Sequence, residues 1–102
     1  MLVWNERLWL DPQLEDPDRI RRRLDLGRKV QGVYLITYAA CPSNLLDIVP
    51  VSVLGQKRAQ RLLPPVVGMA RDKDRAVRLA CRIVVETYAE TGSFRLQTKR
   101  SV

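Results

Sequence analysis

A chain of 102 residues, 46% hydrophobic and 28% charged, is long enough for one packed domain and too short for two. Eighteen lysines and arginines against 11 acidic residues give a net charge of +7, which attracts nucleic acids and acidic proteins. The chain has no histidine, which excludes Ser-His-Asp and Cys-His catalysis and removes the commonest metal ligand.

The sequence predicts a cytoplasmic protein without a membrane span. Its longest run without a charge, residues 30–46, is too short to cross a bilayer and is interrupted by Gly32 and Pro42. The first residues lack the basic region and apolar stretch of a signal peptide. The two cysteines, Cys41 and Cys81, fall in separate elements and make no disulfide framework, so we expect reduced thiols.

The N-terminal part of the chain reads as a hairpin followed by a helix. Two short apolar runs, residues 2–4 and 8–10, flank the turn-like residues 5–7, a pattern that favours two antiparallel strands. Asp16 followed by Pro17 is typical of a helix N-cap with proline in the first helical position. Gly27 is a typical residue to end this helix, and the helix is short and highly charged.

The middle of the chain is predicted to contain the central strand of the sheet. Residues 33–39 are β-branched and aromatic with little polar alternation, as in a strand that is covered on both faces. Residues 40–44 form a turn, and residues 52–62 are consistent with a short helix. Residues 66–70 predict another buried strand.

The last long element is an amphipathic helix that Asp72 caps and Gly92 ends. Its apolar face is predicted to contain Val77, Ala80, Cys81, Val84 and Tyr88. Residues 93–98 alternate apolar and polar side chains, as a half-exposed strand does. Together with the strand before the helix, they predict a right-handed βαβ crossover.

These elements predict a single α+β domain over residues 1–102. Its small mixed sheet has about five strands, with an N-terminal hairpin and a C-terminal βαβ unit, and two or three helices pack on it.

No residue pattern in the chain predicts catalysis, a metal site or a cofactor site, so we expect a protein that is not an enzyme. Glycine-rich phosphate loops are absent, and the single glycines lie at turns. Cys41 is the one candidate nucleophile, but no arginine follows it to hold an anion, and Cys81 reads as core filler. Four acidic residues could hold a cation, although helix capping explains them equally well: Asp11, Glu15, Asp16 and Asp18.

The leading functional hypothesis rests on arginines at helical spacing. Arg75, Arg78 and Arg82 fall on one side of the last helix, with Arg71 just before it. The predicted nucleic-acid-binding residues are Arg21, Arg22, Arg75, Arg78 and Arg82. Arg21 and Arg22 belong to a second basic cluster, together with Arg19, Arg23, Arg28 and Lys29, and a third cluster consists of Lys57, Arg58 and Arg61. If these clusters share a surface beside the strand aromatics Trp4, Trp9, Tyr34 and Tyr38, the protein suits single-stranded nucleic acid.

Two interpretations of the function remain open. In the first, the chain is a non-catalytic basic interaction module that binds nucleic acid through its arginine-rich helices. In the second, it is a homodimeric structural or accessory subunit that binds an acidic protein partner, with Trp4 and Trp9 as interface anchors. The alternative to both is that the arginine stripes are solvated faces without a binding role and that the aromatic residues belong to the core.

Overall fold

The computed structural model describes residues 2–39, 45–55 and 63–91. In chain order the elements are β1 (Trp4–Leu10), α1 (Pro17–Asp25), β2 (Tyr34–Tyr38), β3 (Leu46–Pro50), a short 3₁₀ helix (Val51–Gly55), β4 (Val66–Ala70) and α2 (Lys73–Thr91). The strands form one sheet in the order β1-β4-β2-β3. In it β1 runs parallel to β4, and β2 is antiparallel to both β3 and β4.

The predicted α+β class with a mixed sheet is therefore confirmed, with four strands and two α-helices among the described residues. Several predicted elements lie outside the described residues. They are the strand 93–98 with Gly92 before it, the turn 40–44 and most of the helix 52–62. The described part of that helix is the 3₁₀ helix Val51–Gly55.

The predicted N-terminal hairpin is wrong. Residues 4–10 form one strand that pairs with β4 at both of its ends. Trp4 lies opposite Val66 and Trp9 opposite Gly68, and the register shifts between them. The side-chain amide of Asn5 donates a hydrogen bond to the carbonyl of Arg7 at 2.9 Å. The turn-like residues therefore bend the strand locally without reversing it, as a bulge does.

Strand β3 was not predicted. Among the described strands it lies at the sheet edge and pairs with β2 alone, where Thr37 is opposite Asp47 and Tyr34 is opposite Pro50. Proline and a carboxylate are tolerated at an edge because no neighbouring strand needs the missing N–H on the outer side.

Helix α1 begins and ends where its capping residues predict. The Asp16 carboxylate accepts a hydrogen bond from the backbone N–H of Arg19 at 3.4 Å, and Pro17 occupies the first turn. At the other end Gly27 has φ of 74°, a left-handed conformation that glycine adopts without steric cost.

The two helices pack on opposite faces of the sheet. Consecutive residues of β2 belong to two different hydrophobic clusters, Leu35 to one and Ile36 to the other. The Leu35 cluster contains Leu24 of α1, with Ile20 packed against it. The Ile36 cluster contains Ala76, Leu79 and Ile83 of α2. The sheet is thus the middle layer between a short basic helix and a long one.

The predicted inner face of α2 is wrong. Val77 and Tyr88 are 43% and 51% exposed, and Cys81 is exposed as well. The buried side chains of the helix are Ala76, Leu79, Ile83 and Thr87. Apolar residues occur on both sides of this helix, so its periodicity fits either face and the sheet decides between them. Neither described helix is long and apolar enough to cross a membrane.

Candidate nucleic-acid interface

The carboxyl ends of β1 and β4 lie side by side because the two strands are parallel. Asp11 follows β1, and its backbone N–H donates to the carbonyl of Met69 in β4 at 3.0 Å. Its side chain, only 4% exposed, accepts hydrogen bonds from the backbone N–H groups of Gln13 at 3.0 Å and Arg71 at 3.1 Å. One buried carboxylate therefore joins the end of β1 to the start of the turn between β4 and α2.

Helix α2 begins directly beside this carboxylate. Asp72 caps the helix by accepting a hydrogen bond from the backbone N–H of Arg75 at 2.8 Å. The guanidinium of Arg75 lies 3.4 Å from the Asp72 carboxylate and 3.8 Å from that of Asp11. Two carboxylates thus neutralise the first arginine of the stripe.

A cleft of about 170 Å³ opens along this side of the helix. Its lining residues are Asp11, Pro12, Arg75, Arg78, Leu79 and Arg82. The three arginines meet there because steps of three and four residues return to the same side of an α-helix. The stripe that the sequence predicts is therefore a cleft wall in the structure.

The arginines of the cleft differ in their ion pairs. The guanidinium of Arg82 donates to the Glu86 carboxylate at 2.7 Å, in an exposed pair one helical turn apart. Arg78 makes no ion pair with any residue that the structure describes. Of the three, Arg78 is accordingly the cation most available to an incoming anion.

The other two predicted binding residues lie elsewhere. Arg21 and Arg22 belong to α1, on the opposite face of the sheet from α2. The guanidinium of Arg21 lies 5.0 Å from the centre of the Trp4 ring, a cation–π contact. The five predicted residues therefore divide into two groups on opposite sides of the protein, and the basic residues 57, 58 and 61 lie outside the described residues.

The aromatic residues form no open platform in the described structure. Trp9 is 8% exposed and lies beneath Arg7, whose Cζ is 4.2 Å from the ring centre. Tyr34 and Tyr38 are half-buried against the α2 side of the sheet. Trp4 is half-buried, and its Nε1 donates to Asp25 at 2.8 Å. The cleft lining contains no aromatic residue, so base stacking has no support there.

The described residues contain no catalytic thiol site and no acidic metal site. Cys81 is exposed on α2, so its prediction as core filler is wrong, and Cys41 lies outside the described residues. Asp16 caps α1, as predicted, whereas Asp11 accepts hydrogen bonds from backbone N–H groups outside the helices. Within the part of the chain that the structure describes, no three acidic or cysteine side chains gather as metal ligands.

A larger cavity, about 440 Å³, lies on the α1 side. The buried residues of its lining are all aliphatic, namely Leu24, Val51 and Leu54, while Arg28 and Lys29 lie at its exposed rim. No buried polar side chain is available there to orient a ligand, so the cavity does not define a site.

The role of Asp11 could not be read from its sequence position, although an aspartate directly after a strand and before proline is a signal for a side chain that bonds to nearby backbone. No family model matches this chain, and neither does any curated protein or solved structure.

Proposed function

We propose that this chain is a non-catalytic module that binds the phosphate backbone of nucleic acid through Arg75, Arg78 and Arg82. The observation that carries the proposal is that these three arginines, from successive turns of α2, line one cleft. Arg71 is exposed just before the helix, and its backbone N–H donates to Asp11 of the cleft lining.

Arginine is suited to this role because its planar guanidinium binds phosphate oxygens in pairs. From Arg75 to Arg82 the helix rises about 10 Å, which matches about three nucleotides of a strand at 3.4 Å each. Arg78 is available without breaking an ion pair with a described residue, and Arg82 can exchange the exposed Glu86 for a phosphate at little cost.

The cleft favours binding that is independent of base sequence. Its lining offers no aromatic ring for stacking and no amide side chain for reading base edges. Contacts to about three phosphates predict that the logarithm of the binding constant falls with the logarithm of salt concentration with a slope of about −2 to −3. Asp11, Asp72 and Glu86 reduce the local positive charge, so binding at physiological salt is expected to be micromolar or weaker.

Fluorescence anisotropy with labelled single- and double-stranded oligonucleotides tests the proposal, at low and at physiological salt. Two variants remove the same charge from opposite faces: R78A/R82A from the cleft and R21A/R22A from α1. We expect R78A/R82A to weaken binding at least tenfold, and R21A/R22A to weaken it several times less. Equal losses of affinity in the two variants would show that binding depends on the overall charge and not on the cleft. No binding by the wild type even at low salt would overturn the proposal.

The second interpretation, an accessory subunit that binds an acidic protein, would use the same cations. Competition distinguishes the two: polyglutamate presents carboxylates, which pair with arginine bidentately as phosphates do, on a peptide backbone and not on a sugar-phosphate backbone. A nucleic-acid module should lose its labelled oligonucleotide to unlabelled oligonucleotide at a much lower concentration than to polyglutamate. Equal competition at matched charge would favour the acidic protein partner.

A further inference from the structure

The outer surface of α2 carries an apolar stripe that the described protein leaves open. Val77, Cys81, Val84 and Tyr88 succeed one another at steps of four, three and four residues, and we call them the α2 seam. Val77 and Tyr88 are about half exposed, Cys81 is exposed and Val84 is half-buried. Val85, at 66% exposure, lies beside them. This spacing is that of the core positions of a coiled coil, where one helix packs along another.

The charge distribution indicates what covers the seam. The seam has no charged side chain, in a chain whose net charge is +7. A nucleic acid or an acidic protein would bury its charges there without a counterion, which is costly. The complementary occupant is an uncharged helical stripe, and a second copy of the chain supplies one of the same length and spacing.

We propose that two copies of this protein pair through their α2 seams, with the helices antiparallel. A two-fold axis between Cys81 and Val84 places Val77 of one copy opposite Tyr88 of the other, and Cys81 opposite Val84. Each layer then contains one smaller and one larger side chain, which is favourable for close packing. Such an interface is isologous and closes at two subunits, so it does not extend into filaments.

The size of the interface predicts a reversible dimer. The seam spans about 17 Å of helix axis from Val77 to Tyr88. Two copies of it, with their flanking residues, bury on the order of 1,000 Å² in total, at the lower limit for a biological interface. We therefore expect a dissociation constant in the micromolar range.

Pairing also arranges the arginines. Around α2, the seam lies between the buried side, which includes Leu79 and Ile83, and the arginine side, which includes Arg78 and Arg82. An antiparallel pair therefore turns both sheets to one side and both arginine clefts to the other. The dimer does not depend on nucleic acid binding, and it can be tested without any nucleic acid.

Sedimentation velocity of the full chain from about 1 to 300 μM tests the proposal. We expect the wild type to shift from monomer to dimer over this range. The V77K/Y88K variant should stay monomeric, because the antiparallel pair would set the lysine at position 77 of one copy against the lysine at position 88 of the other. Both positions are partly solvent-exposed, so the variant should fold, which circular dichroism checks. V53K, at an exposed valine of the 3₁₀ helix with 49% exposure, is the matched control and should dimerise like the wild type.

A charge-swap variant tests the orientation. In V77E/Y88K an antiparallel pair places each glutamate opposite a lysine of the other copy, so the dimer should return, whereas parallel helices would set like charges against each other. A wild type that is monomeric throughout overturns the proposal, whether residues 92–102 of the same chain or another protein covers the seam. A V77K/Y88K variant that dimerises like the wild type overturns it too.

Discussion

The buried carboxylate of Asp11 accepts a hydrogen bond from the backbone N–H of Arg71 at 3.1 Å, across 60 positions of the sequence. This bond connects the end of β1 with the end of β4, next to the first turn of α2. The same carboxylate faces the guanidinium of Arg75 at 3.8 Å. Asp11 therefore has two opposing effects: it fixes the geometry of the cleft, and it lowers the positive charge of the cleft.

Asp11→Ala should lower the free energy of unfolding by about 1–3 kcal/mol, because the N–H groups of Gln13 and Arg71 would lose their acceptor. Urea denaturation followed by circular dichroism measures the change. Asp18→Ala is the comparison, since this exposed acid in the first turn of α1 should contribute only about 0.3–1 kcal/mol through the helix dipole. Equal losses in the two variants would show that Asp11 is no structural link.

Asp11→Asn should bind nucleic acid more tightly although it is less stable than the wild type. The amide retains one acceptor oxygen, and the negative charge beside Arg75 is gone. Removing a unit charge near the cleft favours phosphate binding by about 0.5–1 kcal/mol, or about two- to fivefold at low salt. Anisotropy titrations at a temperature where both proteins are folded measure this. Binding that Asp11→Asn leaves unchanged would mean that the phosphate lies outside this cleft.

The parts of the fold that the sequence predicts correctly depend on local interactions. The start of α1 follows from Asp16 and Pro17, its end from Gly27, and the start of α2 from Asp72, because each residue acts on backbone groups within one helical turn. The three arginines of the cleft are likewise predictable, since helical spacing alone places them on one side of α2.

The parts that the sequence did not predict depend on distant neighbours. Strand β3 is stabilised by its pairing with β2, and nothing within its own five residues shows this. The bend at Asn5 looks like a hairpin turn until β4 pairs with both halves of the strand. The separation of Arg21 from Arg78 likewise requires knowing that α1 and α2 cover opposite faces of the sheet.

The indole of Trp4 and the carboxylate of Asp25 should be energetically coupled. Trp4 Nε1 donates to Asp25 Oδ1 at 2.8 Å, and this bond links β1 to the last residue of α1. A double-mutant cycle with Trp4→Phe, Asp25→Ala and the double variant should give a coupling of about 1–2 kcal/mol in urea denaturation. Additive losses would indicate that this hydrogen bond does not hold α1 to the sheet.

Alanine in place of Gly68 should destabilise the protein. A Cβ at this position would lie 3.1 Å from the backbone oxygen of Trp9 and 3.3 Å from Cδ1 of Ile36. Gly68→Ala should therefore cost about 1–3 kcal/mol of unfolding free energy through overpacking. Because Ile36→Val removes the crowded methyl group, the double variant should recover part of this loss. If the double variant recovers no stability, the cost arises from the contact with the backbone oxygen of Trp9 and not from Ile36.

Cys81 reports on pairing through the α2 seam without a change in the seam itself. In a Cys41→Ser background Cys81 is the only thiol, and it is exposed in the single chain. Its alkylation rate should match that of an accessible thiol at low protein concentration and fall as the concentration passes the dissociation constant, because the other copy covers it. In a V77K/Y88K background the rate should be independent of concentration. A rate that does not change with concentration in the parent protein would contradict pairing through this seam, even if sedimentation shows a dimer, because the two copies would then meet at another surface.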